Sequence, residues 1–342
     1  MDTGNRKDEH LKLCLEEEVE YSSDKGSGFD RLRFDHDALP EVSKNEIKLE
    51  IEIFGYKLSC PLIIGAMTGG TRDTALINER LAEAAQLTQV GFALGSQRKM
   101  LEDPSCAASF CLKRKFKNIP LFIGNMGAVQ LNYGLESQHI QSLIEETQVN
   151  AFAFHLNPLQ EAIQPEGDTN FSNLLVKLSD VIPTLKVPVL IKEVGAGISE
   201  TTAKKLQKLA IAGIETAGRG GTSWSKIESL RTKNEIQKSV GELFTHWGIP
   251  TTESIKICRQ YFPSRVVIAS GGIRNGIEVA KAIALGADAA ALAHPFLKAA
   301  HESLERVLEL IERIKEELRT TMFVTGCRNI GDLRKKGLRK YE

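Results

Sequence analysis

Eight short, almost uninterrupted apolar runs constrain the fold of this chain more than any other feature: 62–66 (LIIGA), 90–94 (VGFAL), 121–124 (LFIG), 150–155 (NAFAFH), 188–192 (PVLIK), 212–216, 265–270 (RVVIAS) and 288–293 (DAAALA). Helical patterns fill most of the intervals, at 75–88, 136–147, 171–182, 199–211, 251–261, 276–285 and 297–318, while the second-to-third interval is less regular. Strands that are apolar on both faces must be covered on both. Repeating β-α units achieve this by packing helices outside a parallel sheet whose inner side chains fill the centre. Eight units close on themselves, so the expected fold is α/β, a single TIM (β/α)8 barrel. An open doubly wound sheet shares the alternation, but no GxGxxG turn follows the first run to receive a dinucleotide. With 342 residues and 42% apolar content, the chain suits one domain of this size.

Residues 1–60 are expected to form a mostly irregular arm packed on the barrel, with one hairpin at 48–59 (KLEIEIFGYKLS) able to plug its bottom. Residues 61–342 are expected to form the barrel and a carboxyl-terminal helical tail. The long connection 217–250, glycine-rich and then charged, reads as a lid or binding loop on the site's side. The closing RKKGLRKYE reads as a solvated tail.

Lysine plus arginine equals aspartate plus glutamate at 44 each, so no overall field draws the chain to nucleic acid or to an anionic membrane. Any anion must be held by local charge. The longest apolar runs, such as PLIIGAM from Pro61, fall far short of the roughly 20 residues of a membrane span. The charged start MDTGNRKDEHLK resembles neither a secretory signal nor a transit peptide, which makes a cytoplasmic location the expectation. Six scattered cysteines argue against a disulfide framework or a zinc site.

Barrel chemistry sits where strands end. The seventh run leads into SGGIRNG, where Gly271 and Gly272 let backbone amides approach an anion and Ile273-Arg274 bring charge ahead of a helix start. The eighth leads into Ala293-His294 and another helix start, and this pair of loops is the common phosphate site of such barrels. The sixth ends in AGRGGTSW, which includes Thr222 and Trp224. Lys192 at the fifth strand end either offsets negative charge on a bound ring or pairs with Glu193 or another carboxylate. Ala66-Met67-Thr68, Ser96 beside Arg98, and Asn125 offer small and polar groups to the edge of a flat heterocycle. The fourth run is the most telling, because His155, Asn157, Gln160 and Glu161 converge within seven residues. Glu161, a single carboxylate at a phosphate-binding mouth, suits magnesium, which keeps several waters. Taken alone, Arg6, Lys7 and His10 are an ordinary charged run.

The ordered set RKDEH, AMTGGT, GSQR, GNMGAVQL, HLNPLQEAIQPEGD, KEVGAGIS, GRGGTSW and SGGIRNG resembles the FMN-dependent type 2 isopentenyl diphosphate isomerases from Arg6 to about Phe296. The resemblance implies that Ala66, Met67, Thr68, Ser96, Asn125, Lys192, Thr222, Gly271 to Arg274, Ala293 and His294 contact FMN. It implies that Arg6, Lys7, His10, Ser96, Arg98, Asn157 and Gln160 surround a diphosphate substrate, joined by Trp224 and Glu228, while Glu161 binds magnesium. Gln160, His155 and Lys192 are then the candidate catalytic groups, NADPH reduces the flavin, and the assembly is a homotetramer. Ala217 departs from the pattern where a serine is expected. A flavin-dependent 2-hydroxy-acid oxidase remains a rival, as does a non-catalytic scaffold. The oxidase would need an arginine and histidine pair on its substrate carboxylate.

Overall fold

The computed structural model describes residues 3–21 and 26–341. Its strands are β1 (Leu32–Arg33), β2 (Ile51–Ile53), β3 (Tyr56–Leu58), β4 (Leu62–Ile64), β5 (Gly91–Ala93), β6 (Phe122–Gly127), β7 (Ala151–Leu156), β8 (Val189–Glu193), β9 (Gly213–Glu215), β10 (Val266–Ser270), β11 (Ala289–Leu292) and β12 (Arg339–Lys340). Its α-helices begin with α1 (Thr3–Glu16), α2 (Arg72–Thr88), α3 (Arg98–Glu102), α4 (Ser137–Thr147), α5 (Pro158–Ile163), α6 (Leu174–Val181) and α7 (Glu200–Leu206). They continue with α8 (Trp224–Arg231), α9 (Glu235–Leu243), α10 (Thr251–Tyr261), α11 (Gly276–Ala284), α12 (His294–Glu302), α13 (Leu304–Phe323) and α14 (Ile330–Arg334).

Strands β4 to β11 close into a parallel barrel, β11 pairing with β4 through Ala291↔Ile63 and Leu292↔Ile64. These are the eight runs read from the sequence, in the same order. Strand interiors are buried throughout, as on β6 and β8, because helices cover one face and opposing strands the other. The helix expected over 297–318 is two helices, since Ser303 adopts an extended conformation and caps α13 by accepting from the amide of Arg306.

One end of the barrel is sealed. Strands β2 and β3 form a hairpin whose turn residues Phe54 and Gly55 both have positive φ (53° and 85°), the geometry of a tight two-residue hairpin. Its Ile53 and Leu58 are buried with Ile63, Leu121, Ala151, Leu190, Ile268 and Ala289 near the amino ends of the barrel strands. The opposite, carboxyl end is where the strand-end residues gather.

Three expectations are refined. The arm contains a helix besides the expected hairpin: α1 covers 14 of its 60 residues, with Lys7, Leu11 and Cys14 buried at helical spacing. Its sequence shows little apolar stripe because Lys7 shares the buried face with Leu11 and Cys14, and tertiary contacts rather than propensity hold it helical. The connection 217–250 is no open loop but contains α8 and α9, capped by Ser223 and Asn234. The closing tail is largely exposed, as expected, and is also anchored, since β12 pairs antiparallel with β1 and the amide of Tyr341 donates to Arg31 O at 3.0 Å. Among the described residues no helix is long and apolar enough to cross a membrane.

Candidate active site

One cavity opens at the carboxyl ends of the barrel strands, and every residue proposed for the site lines it except Glu228. His155 on β7, Lys192 on β8 and Arg274 after β10, separated by 37 to 119 residues in sequence (192 − 155 and 274 − 155), share this one space. Glu228 is fully buried behind the cavity wall, where it holds His10 and Gln160, because α8 turns that face inward.

At one side of the cavity, two glycine loops lie backbone against backbone. Gly271 and Gly272 have φ of 104° and 74°, and a side chain on either would collide with the backbone of Gly218 or Gly220. Only glycine permits this approach, and the result is a cradle of main-chain groups that suits a phosphate. Ala217, where serine was expected, is itself in a left-handed conformation (φ 36°) and gives its amide to Ser270 Oγ at 3.0 Å. Arg274 and His294 line the cradle, yet their polar ends already have an anion. Arg274 Nη2 lies 2.6 Å and His294 Nδ1 2.5 Å from Oε1 of Glu20, and His294 Nε2 is 2.6 Å from Cys14 O. Burial alone would raise the Glu20 pKa, but the His294 hydrogen bond and the Arg274 charge override it and hold the carboxyl at about 2.

The middle of the cavity is a chain of polar groups on strand ends. Lys192 Nζ donates to Glu193 O at 2.8 Å and lies 3.4 Å from Oε1 of Glu215, which also accepts from Ser270 Oγ at 2.8 Å. The lysine therefore faces the cavity and has a carboxylate partner, Glu215 rather than Glu193. The Glu193 carboxylate instead accepts the amides of Val194, Gly195 and Ala196 at 2.5 to 2.7 Å, which fixes the loop after β8. His155 Nδ1 meets Asn125 Oδ1 at 2.9 Å, and Asn125 Nδ2 donates to Leu94 O, so the asparagine oxygen accepts and Nδ1 carries the proton. Burial, reinforced by Lys192 and Arg6, pushes the His155 pKa down to about 3, so the ring is neutral at physiological pH.

The outer side is cationic. Lys7 Nζ donates to Gly69 O, and to Ser96 O at 3.0 Å, while burial and then Arg6 bring its pKa down to about 7. Arg6 Nε is buried without a hydrogen-bond partner, a donor left for an anion. Arg98 is bound by Glu102 at 2.7 Å and Asp168 at 2.5 Å. His10 stands edge-on to Trp224, ring centroids 5.1 Å apart. Beside them Glu161 accepts from Asn157 Nδ2 (2.8 Å), Gln164 Nε2 (3.2 Å) and the amide of Asp168 (2.7 Å), while burial raises its pKa. Asn157 Oδ1 is buried with no partner. Among the described residues no group of three or more His, Cys, Asp or Glu could hold a metal by itself.

Residues 168–340 match the family model described as FMN-dependent dehydrogenase. An isopentenyl-diphosphate delta-isomerase of Archaeoglobus fulgidus is 46% identical over 342 residues, covering 100% of this chain and 96% of its own. Isopentenyl-diphosphate delta-isomerases of a Nostoc species and of Rickettsia bellii are each 44% identical, covering 98% of this chain and 95% and 97% of theirs. The chain belongs to the FMN-dependent isopentenyl-diphosphate delta-isomerase family. Solved structures of a mandelate oxidase with a C4a-OH-FMN adduct and with (S)-2-phenylpropionate superpose with TM-scores of 0.66 and 0.65 at 18% and 17% identity. Each match covers 97% of this chain and 95% or 94% of the other, and at that identity the likeness concerns the barrel fold alone.

Sequence reading missed Glu20, Glu215 and Arg231 in this isomerase-family site. Glu215 carried a usable signal, a carboxylate at a strand end beside the glycine cluster. Glu20 and Arg231 sit in charged stretches where nothing local distinguishes them from solvated neighbours.

Proposed function

We propose that this chain is an isopentenyl-diphosphate delta-isomerase that moves the double bond between isopentenyl and dimethylallyl diphosphate by allylic proton transfer, without net redox change. The observation that carries the reading is the shared cavity: a glycine cradle and polar strand ends on one side, and arm cations with an unpartnered Arg6 donor on the other. One space thus offers a place for a flat phosphorylated ring and a place for a second, more strongly charged anion.

The residues fit FMN. The cradle at Gly271-Gly272-Ile273 with Thr222 would take its phosphate, and Ala66, Met67, Thr68, Ser96, Asn125 and Lys192 would border its ring. Arg274 and His294, oriented by Glu20, would support the phosphate side, with Ala293 lining it. When bound and reduced by a nicotinamide cofactor such as NADPH, the flavin supplies a ring nitrogen able to give and recover a proton. The residues also fit magnesium, with Glu161 as ligand and Asn157 Oδ1 beside it as an acceptor for a metal-bound water.

The protein's own groups then do the positioning. Arg6, Lys7 and Arg98 would clamp the diphosphate, so that remote binding holds the hydrocarbon in register. Gln160, anchored through Nε2 to Glu228, would orient the alkene, while neutral His155 acts as a hydrogen-bonding wall rather than an acid. The arm helix over the cavity mouth would keep water from the reacting carbons. The homotetramer and cytoplasmic location implied by the resemblance belong to the same proposal.

Anaerobic incubation of isopentenyl diphosphate with the protein, FMN, magnesium and a reductant, followed by product analysis, tests the reading. Dimethylallyl diphosphate is the expected product. Oxygen-dependent oxidation of a 2-hydroxy acid in its place would overturn it.

A further inference from the structure

We propose that Arg231 is a positioning residue for this reaction: it holds one oxygen of Glu228 so that the other faces His10 and Gln160, and it fastens the arm over the cavity. The inference rests on the isomerase reading for its kinetic consequences but not for its geometry.

The Arg231 guanidinium reaches three carboxylates on three separate elements. Nη1 lies 2.5 Å from Glu228 Oε2 on its own helix, Nε 3.0 Å from Glu9 on α1, and Nη2 2.8 Å from Glu166 in the loop after α5. Its side chain is 5% exposed. A planar fork of five donors suits this arrangement, and an ammonium on a flexible stem does not. With Oε2 of Glu228 occupied, Oε1 is left to receive His10 Nε2 at 2.9 Å and Gln160 Nε2 at 3.3 Å. Both of these residues line the cavity, and Glu228 does not. Arg231 therefore acts on the site through Glu228 without touching it.

The two branches are of unequal strength. Glu228 is fully buried, and a buried carboxylate without its cation must protonate or move. Glu9 is 48% exposed, so its ion pair is screened and supports the arm modestly. The titratable and charged groups that face Glu228 are His10 from α1 and Arg231 from its own helix, with Glu9 and Glu166 beyond Arg231. Of the other helices packed against α8, α5 carries Glu161, bonded to Asn157, Gln164 and Asp168, and α9 carries Glu235, Lys238 and Glu242. Burial would raise the Glu228 pKa, but His10 and Arg231 hold it below the ordinary carboxylate value.

The test compares Arg231→Met, Arg231→Lys and Glu9→Gln with the unsubstituted holoenzyme. Arg231→Met is expected to lower kcat about 100-fold, the cost of misplacing a catalytic group by roughly 1 Å. It is also expected to move the acid limb of the pH profile up by about one unit, with FMN affinity unchanged. Arg231→Lys, which keeps the charge and loses the fork, should restore the acid limb but not the full kcat. Glu9→Gln should raise KM for isopentenyl diphosphate a few-fold with kcat unchanged, and both it and Arg231→Met should speed amide hydrogen exchange across residues 6–16. Kinetics, acid limb and exchange all within twofold of the unsubstituted protein would overturn the inference. So would equal loss in Arg231→Met and Arg231→Lys with an unmoved acid limb, which marks a purely structural role. If Arg231→Met does not fold, the KM and exchange of Glu9→Gln decide. If the unsubstituted protein makes no dimethylallyl diphosphate, the functional reading fails, and the exchange data alone still judge the fastening role of Arg231.

Discussion

Oε1 of Glu20 lies 2.6 Å from Nη2 of Arg274, so the cation expected to serve a cofactor phosphate is bound to an anion of the arm. The backbone continues the attachment, with Tyr21 N donating to Gly221 O at 3.0 Å and Ser223 N to Val19 O at 2.8 Å. Arm and cradle thus form one hydrogen-bonded unit, in which the carboxylate neutralises Arg274 and orients both it and His294.

Glu20→Gln should destabilise the protein near neutral pH, and the difference should shrink in acid. The sign follows from linkage: the folded pKa of about 2 lies below the ordinary 4.5, so the carboxylate stabilises above pH 4.5 and loses that effect as pH falls toward 2. Because the side chain is 36% exposed, the loss in Tm at pH 7 should be no more than roughly a few degrees. Thermal unfolding of both proteins at pH 7 and pH 3 checks this, and an equal gap at the two values would contradict it.

Lys7 gives a second pH signature. With its pKa near 7, about half the molecules lack the charge at neutral pH, while a bound diphosphate favours the ammonium. Binding should therefore take up a proton, and apparent affinity should fall as pH rises above 7. Titration calorimetry at pH 7.5 in buffers of differing ionisation enthalpy measures the uptake. Lys7→Met should abolish it and weaken binding by about tenfold or more, as expected for loss of a charged hydrogen bond. Binding that is independent of buffer in the unsubstituted protein would rule the mechanism out.

The barrel strands were legible because strands such as β6 and β8 are buried on both faces, which leaves apolar runs that no surface element shares. The site was legible only where it coincides with strand ends: His155, Lys192 and Gly271 declare themselves by position. Glu20 and Arg231 do not, because Arg274 lies 254 residues from Glu20 and Glu9 lies 222 residues from Arg231, and only the closed barrel makes them neighbours. The arm helix was hidden for a related reason, since its buried face begins with Lys7, set against carbonyl oxygens, before Leu11 and Cys14 continue it. Local pattern reports which residues must leave water, and it is silent on charges that leave water in pairs.

The cradle makes a steric prediction with an internal control. Gly271→Ala combines a φ of 104° with a Cβ driven into the backbone of Gly218, so the loop must shift and the fold should lose about 2–4 kcal/mol. FMN affinity should fall at least tenfold, because the displaced amides line the cavity. Gly337→Ala, where a Cβ meets nothing within 4 Å, should stay within about 0.5 kcal/mol. Urea denaturation and flavin-fluorescence titration give both numbers, and equal effects at the two positions would argue against a built cradle.

Gln160 and Glu161 are adjacent in sequence, yet they should fail differently. Gln160→Asn withdraws the amide by one methylene, which breaks its 3.3 Å contact with Glu228 and leaves the alkene side unguided. The expected result is a kcat reduced by about 100-fold with KM and magnesium dependence little changed. Glu161→Gln removes the charge and turns an NH2 group toward a carboxylate position now served by three donors, from Asn157, Gln164 and Asp168. At least one donor then faces another donor, so the loop 164–168 must move and the metal loses its anionic ligand. For this variant the magnesium concentration giving half-maximal activity should rise by tenfold or more, with flavin binding retained in both. The two substitutions thereby separate orientation from charge: near-normal turnover in both would remove Gln160 and Glu161 from the mechanism, whatever the barrel around them binds.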